Sequence, residues 1–300
     1  MTHTDIKKNG WIVEKLPKAA KPYFYLMRLD RPIGTWLLLL PGLWAIMLAS
    51  GGLWALNDED ITLVALFTIG AVLMRGAGCV MNDLWDRELD KKVKRTASRP
   101  IAAGEVSVKQ AIIFIAVLLL LGFSILLQMH IVTILLGFLT IPLMITYPLM
   151  KRVTWWPQLF LGITFNFGAL MGWAAVNGTV DLPALLLYVG GIFWTLGYDT
   201  IYADQDKEDD ALVGIKSSVL KLGEKAEKTV KTFYGVAFFL FAMAFVVADA
   251  GYISLIVLMG GALHFTWQLK NWKRDDVATA LMVFRSNRDF GLILLAAAAL

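Results

Sequence analysis

The sequence predicts an all-α fold, a polytopic membrane bundle of nine transmembrane helices, and three observations predict it. The chain of 300 residues is 58% hydrophobic, with a mean hydropathy of +0.63, well beyond the apolar fraction of an ordinary soluble domain. The excess lies in blocks of the length, roughly 18 residues or more, that a helix needs to cross hydrocarbon. When those blocks are threaded back and forth through a bilayer, all 28 Lys and Arg fall on the same side.

In chain order, the apolar runs predict spans at Ile33–Gly52, Ile61–Met81, Val108–Met129, Ile131–Met150, Trp156–Val176, Leu182–Tyr202, Val230–Ala248 and Tyr252–Leu269. A ninth, Phe290–Leu300, has eleven residues. That is roughly 16 Å of helix, so it needs upstream residues or a locally thinned bilayer. Connections after the odd-numbered spans are short and carry Asn57, Asp58, Glu59, Asp60, His130, Asp181 and Asp249. The other side holds the N-terminal tail, Arg75 near the end of the second span, residues 87–109, Lys151 and Arg152, residues 207–231 and residues 270–288. The positive-inside rule assigns that side to the cytoplasm. The expectation is a bacterial inner (cytoplasmic) membrane, with the N-terminus and the active face toward the cytoplasm.

The domain organisation follows. Residues 1–31 form a cytoplasmic tail whose Lys, Trp, Leu, Tyr and Phe fit an amphipathic helix on the membrane lipid surface. Residues 32–300 form a single transmembrane domain with cytoplasmic loops 82–107, 203–229 and 270–289. Trp54, Trp155, Trp156, Trp267 and Trp272 lie near span ends, where indoles favour the headgroup layer. The first 20 residues contain no apolar stretch of the kind a cleavable signal peptide has. The one cysteine, Cys79, excludes a disulfide framework. With no basic domain outside the membrane, a nucleic-acid partner is not expected.

Two acidic segments carry the chemistry. The second span runs into Asn82-Asp83-Leu84-Trp85-Asp86-Arg87-Glu88-Leu89-Asp90, where Asn82, Asp86 and Asp90 recur at i, i+4 and i+8 on one helix face. The sixth span runs into Asp199 through Asp210, where Asp206 and Asp210 repeat the i, i+4 spacing. One such pair would read as a solvated helix end; two, on the same side and four spans apart, read as a site. Acids at the membrane border are costly unless paired or functional. Clustered carboxylates need a cation, and an all-oxygen donor set suits Mg²⁺. His3, His130 and His264 are too scattered for a histidine metal site. An internal repeat supports the pairing. Asp90 precedes Gly104-Glu105 by 14 residues and Asp210 precedes Gly223-Glu224 by 13, each across a basic interval.

Acids with nearby bases describe a diphosphate site, Mg²⁺ bridging phosphate oxygens and Arg or Lys neutralising the remaining charge. Arg75, seven residues before Asn82, lies on the same helix face two turns down. Lys151 follows Tyr147 at i+4, where the fourth span reaches the basic side. Its other reading is a snorkelling interface residue.

These residues resemble the UbiA superfamily of intramembrane aromatic prenyltransferases, from about Arg28 to the C-terminus. The motifs are N-x-x-x-D-x-x-x-D (Asn82, Asp86, Asp90) and D-x-x-x-D (Asp206, Asp210). Further matching stretches are Arg28 to Gly34, Arg75 to Cys79, Lys94 to Pro100, and Gly197 to Thr200 followed by Tyr202-Ala203. Within the superfamily the chain is most similar to the bacterial branch that prenylates 4-hydroxybenzoate for ubiquinone synthesis. The resemblance implies Mg²⁺-dependent transfer of a polyprenyl group from polyprenyl diphosphate to the ring carbon ortho to the hydroxyl. It implies Asn82, Asp86, Asp90, Asp206 and Asp210 as Mg²⁺ ligands, with Asp83 and Asp209 supporting them. Arg75, Arg95, Arg99 and Lys151 are implied as diphosphate partners. Tyr147 is a candidate to shield the allylic cation, Asp199 to orient the phenol or take the ring proton, and Arg28 or Arg31 to hold the acceptor carboxylate. Two alternatives stand beside this: a sibling enzyme with another aromatic or quinone-precursor acceptor, and an ion-coupled transporter. Transporters place their charges near the midplane, whereas these acids cluster at one face.

Overall fold

In the computed structural model, the described residues are residue 6 and residues 11–93, 95–213 and 216–300; within the helices, the side chains of residues 11, 12, 151, 206 and 208–213 lie outside the description. Every regular element among them is helical: α1 (Trp11–Lys15), α2 (Lys21–Leu26), α3 (Ile33–Ala49), α4 (Asp58–Trp85), α5 (Arg87–Asp90), α6 (Val108–Leu126), α7 (Ile131–Val153), α8 (Pro157–Phe165), α9 (Phe167–Asn177), α10 (Leu182–Val213), α11 (Ser218–Leu222), α12 (Ala226–Val247), α13 (Tyr252–Asn271) and α14 (Val277–Ala298).

Among the described residues, seven stretches are long and apolar enough to cross a membrane: α4, α6, α7 as far as Met150, α8 with α9, α10 as far as Gln205, α11 with α12, and α13. Length and apolarity alone therefore do not reach the expected nine. α3 has 17 residues, and α14 carries Arg285, Arg288 and Asp289 within its 22 residues. The last helix starts well before the expected Phe290. Asp276 caps it, its Oδ1 accepting from the Ala278 and Thr279 amides at 2.9 and 3.3 Å. The charged turns had concealed that start, because a hydropathy window stops at Arg288.

Local chemistry sets the other ends. Asn57 and Asp60 cap α4 reciprocally, with the Asp60 amide donating to Asn57 Oδ1 at 2.9 Å. Ser107 and Gln110 form a capping box at the start of α6. The predicted fifth span is broken at Asn166 into α8 and α9. Asn166 compensates for the break: its Nδ2 donates to the Gly162 carbonyl at 2.8 Å and to Thr195 Oγ1 at 2.9 Å.

The contacts divide the chain into two compact units, Met1–Trp36 with Thr68–Gln128, and Leu37–Phe67 with Met129–Leu300. In the first, Leu26 of α2, Ala77 and Val80 of α4, and Ala111, Ile115 and Leu118 of α6 form one apolar core with Ile101 and Val106 from the connecting turns. In the second, α10 is the central helix and packs against α8, α9, α12 and α14. Trp194 at its middle is fully buried and donates from Nε1 to Asn287 Oδ1 at 2.8 Å. Beside it, Trp44 donates to the Gly291 carbonyl at 2.8 Å, and Phe265 stacks on Phe290 with centroids 4.0 Å apart. α3 and α9 meet backbone to backbone. A Cβ on Gly168 would stand 3.1 Å from the Gly42 amide nitrogen, and one on Gly172 would run into the Gly42 carbonyl oxygen.

Candidate active site

The first acidic segment is built where α4 ends. Asp86 leaves helical geometry (φ −96°, ψ 5°) between α4 and α5. Even so, the Asp86 amide donates to the Asn82 carbonyl at 2.9 Å and the Asp90 amide to the Asp86 carbonyl at 2.8 Å. The i, i+4 spacing read from the sequence thus passes through the break. Asn82 and Asp86 are half-buried, while Asp83 and Asp90 are buried.

Burial of those two carboxylates requires cations, and two arginines supply them. Arg28 Nη2 donates to Asp83 Oδ1 at 2.6 Å. Arg99 Nη1 reaches the same oxygen at 3.3 Å and both Asp90 oxygens at 3.1 Å. Arg28 holds its place with a left-handed backbone (φ 59°), and its Nη1 also donates to the Tyr25 carbonyl at 3.0 Å. Burial pushes the Asp90 carboxyl above its ordinary value; Arg99 opposes that shift, and Asp83 adds to it by repulsion. Here desolvation exceeds the attraction of the single shared guanidinium. Arg28 and Arg99, expected on the acceptor and the diphosphate, thus lie on Asp83 and Asp90.

Arg75 lies half-buried on α4 within the same unit. Its guanidinium passes over Gly34, where an added Cβ would come within 2.6 Å of Nη2. The Arg31-Pro32-Ile33-Gly34 stretch thus supplies the one residue type that leaves this room. Arg95 is half-buried in the turns after α5.

The second acidic segment is the end of α10, which continues without interruption to Val213. Asp199 is half-buried. The backbones of Asp206, Asp209 and Asp210 lie in α10, while their side chains fall outside the described residues, as does that of Lys151 in α7. At about 100° per residue, positions 199, 206 and 210 share one face of α10. Tyr147 is half-buried in α7, immediately before Pro148.

A carboxylate not among the sequence candidates is heavily bonded in this region. Asp204 is 5% exposed. Its Oδ2 accepts from Trp272 Nε1 at 3.1 Å and from the Asp275 amide at 3.2 Å, and its Oδ1 from Arg274 Nε at 3.3 Å. Trp272, expected as an interface anchor, is instead buried against this carboxylate. Trp54, in contrast, is 90% exposed, as an anchor should be. The one sequence signal for Asp204 was its register, about 160° around the helix from position 206.

Mg²⁺ is usually held by one or two carboxylates plus substrate phosphates rather than by an all-protein cage. Asn82 and Asp86 fit that mode, being half-buried oxygen donors at the end of a span. Among the described residues no three His, Cys, Asp or Glu form a cage, which this mode does not need.

Comparison with known proteins agrees with this geometry. The model of the UbiA prenyltransferase family matches residues 38–288. Relatives named "4-hydroxybenzoate polyprenyltransferase, mitochondrial" are 46% identical in Rattus norvegicus, over 94% of this chain and 75% of the relative, and 46% identical in Homo sapiens, over 94% and 76%. The fold matches the apo structure of a UbiA homolog from Aeropyrum pernix K1 with a TM-score of 0.73 at 24% identity, covering 87% of this chain and 96% of that one. It also matches a UbiA homolog from Archaeoglobus fulgidus bound to GPP and Mg²⁺, with a TM-score of 0.65 at 16% identity, over 92% and 99%. The relatives correct one expectation, the bacterial inner membrane, because they are named as mitochondrial proteins. A positive-inside bias orients a chain within its membrane and carries no information on which membrane that is. With its family model covering most of its length and relatives of the same kind aligned over 94% of it, this chain belongs to the UbiA prenyltransferase family.

Proposed function

We propose that this chain transfers a polyprenyl group from polyprenyl diphosphate to the ring carbon ortho to the hydroxyl of 4-hydroxybenzoate, as a step in ubiquinone synthesis. What carries the reading is the 46% identity to relatives of that name over 94% of the chain. The enzyme is proposed to be multi-pass in a mitochondrial membrane, with α3 and α14 bringing the seven long spans to nine.

Asn82, Asp86, Asp90, Asp206 and Asp210 are proposed as Mg²⁺ ligands, directly or through water, with Asp83 and Asp209 supporting them. Bound Mg²⁺ supplies charge neutralisation on the leaving diphosphate. Arg75, Arg95, Arg99 and Lys151 add cations to the same oxygens as negative charge develops there. The C1–O bond of the donor breaks, a C–C bond forms to the ring, and Asp199 takes the displaced ring proton. Tyr147 faces the allylic cation with its π system, and the apolar helices exclude water from it. Arg28 holds the acceptor carboxylate by sharing its guanidinium with Asp83. Membrane lipid accommodates the prenyl tail.

The test is an assay in membranes with 4-hydroxybenzoate, a long-chain prenyl diphosphate and Mg²⁺, with EDTA as the control. Prenylated 4-hydroxybenzoate that forms only with the metal supports the reading. Preferred use of a dihydroxynaphthoate or homogentisate acceptor overturns the substrate, and activity that survives EDTA overturns the metal.

A further inference from the structure

The acidic end of α10 poses a physical problem. A helix C-terminus carries the negative end of the macrodipole, and this one places Asp204, Asp206, Glu208, Asp209 and Asp210 in its last turns. Dipole and mutual repulsion both oppose helix there, yet α10 runs to Val213. Something outside the helix must hold it.

Asp204 is where it is held. The short loop between α13 and α14 gives it an indole N–H, a guanidinium and a backbone amide. Arg274 stacks against the Trp272 ring at 5.6 Å, and its Nη1 donates to the Gly223 carbonyl at 2.9 Å, beyond α11. Lys207 Nζ meets Asp275 Oδ1 at 2.8 Å, one turn farther along α10. One loop thereby grips α10 and the segment that follows it. By register, Asp204 lies about 120–160° around the helix from positions 199, 206 and 210, so the grip is on the back of the face carrying the second acidic motif.

We infer that Asp204 is a positioning residue: its clamp on Trp272, Arg274 and the Asp275 amide fixes the rotation and helicity of the end of α10, and so presents Asp206 and Asp210 as a formed Mg²⁺-diphosphate site. This rests on the proposed function. Supporting residues behind metal ligands are commonly worth about 10–100-fold in metal affinity.

The experiment follows Mg²⁺-dependent binding of geranyl thiolodiphosphate, an unreactive donor analogue, to the purified full-length protein by calorimetry, alongside steady-state kinetics. Asp204→Asn and Arg274→Gln each raise the Mg²⁺ concentration for half-maximal analogue binding about tenfold. They raise the KM for the donor and leave the KM for the aromatic acceptor unchanged. Asp204→Glu, which keeps the charge, recovers most of the loss. Where Asp204→Asn fails to accumulate, Trp272→Phe, which removes the indole N–H and keeps a smaller aromatic ring, is expected to shift the Mg²⁺ requirement in the same direction. Variants with reduced thermal stability but wild-type Mg²⁺ dependence make Asp204 a structural clamp only and overturn the inference. Wild-type analogue binding that ignores Mg²⁺ overturns the metal reading itself, and this inference with it.

Discussion

The two acidic segments bury carboxylates by different means. At the end of α4, Asp83 and Asp90 are compensated by Arg28 and Arg99, cations that an anionic substrate would also attract. At the end of α10, Asp204 is compensated mainly by an indole and a backbone amide, with a single arginine that also holds a carbonyl. Ionic pairing alone can be exchanged for another anion, whereas a carboxylate also held by an indole and a backbone amide is harder to release. The first segment is thus suited to rearrange when diphosphate arrives, and the second to stay fixed.

The largest effect expected is on the proposed ligands themselves. Asp86→Ala and Asp206→Ala each lower prenyl transfer at least about a hundredfold, the scale on which single groups that stabilise developing charge act. Both variants remain inserted and folded, as judged by extraction yield and thermal unfolding. Near-normal turnover in either would remove that segment from the metal site.

Next is the stability of the first segment. Asp83→Ala deprives the mostly buried Arg28 guanidinium (side chain 11% exposed) of its carboxylate, while Arg99 keeps Asp90. Removing one partner of a buried pair typically costs about 3 kcal/mol, a figure that partial solvent screening lowers here. Adding Arg28→Ala recovers part of the loss, measurable as a coupling in a double-mutant cycle. Strict additivity would mean the pair carries nothing.

These two regions also mark how far the sequence could be read. Apolar blocks and charge bias located the membrane-crossing helices, because lipid enforces both within a single stretch of chain. The i, i+4 motif was legible because helical spacing is local. Arg28 meeting Asp83 across 55 residues was not, nor Asp204 meeting Trp272 across 68. In sequence, Asp204 looked like one more charge in an acidic run, and Trp272 like an interface anchor. The start of α14 was hidden for a third reason, since its first turns are amphipathic and hydropathy reports only lipid-facing length.

A smaller effect separates space from charge near the first segment. Gly34→Ala places a methyl group against the Arg75 guanidinium and is expected to raise the donor KM several-fold while leaving the acceptor KM unchanged. An equal rise in both would indicate a general distortion of the unit.

The smallest lies at the exposed edge of the second segment. Lys207 donates to Asp275 and holds its carboxyl below the ordinary value of 3.8. The folded value is the lower one, so this contribution is complete above the ordinary value and is lost as pH falls through the depressed one. Lys207→Ala is therefore expected to lower the Tm slightly at neutral pH and low salt, with the difference vanishing in acid. High salt is expected to shrink it too, as for any exposed pair.

The bare contact between α3 and α9 has a consequence for how the second unit survives extraction. Two helices joined through Gly42, Gly168 and Gly172 leave no groove between them wide enough for an acyl chain. Close backbone packing of this kind, rather than any hydrophobic drive, is what joins helices inside lipid. Detergent can therefore replace every boundary lipid around this pair without gaining a foothold between its members.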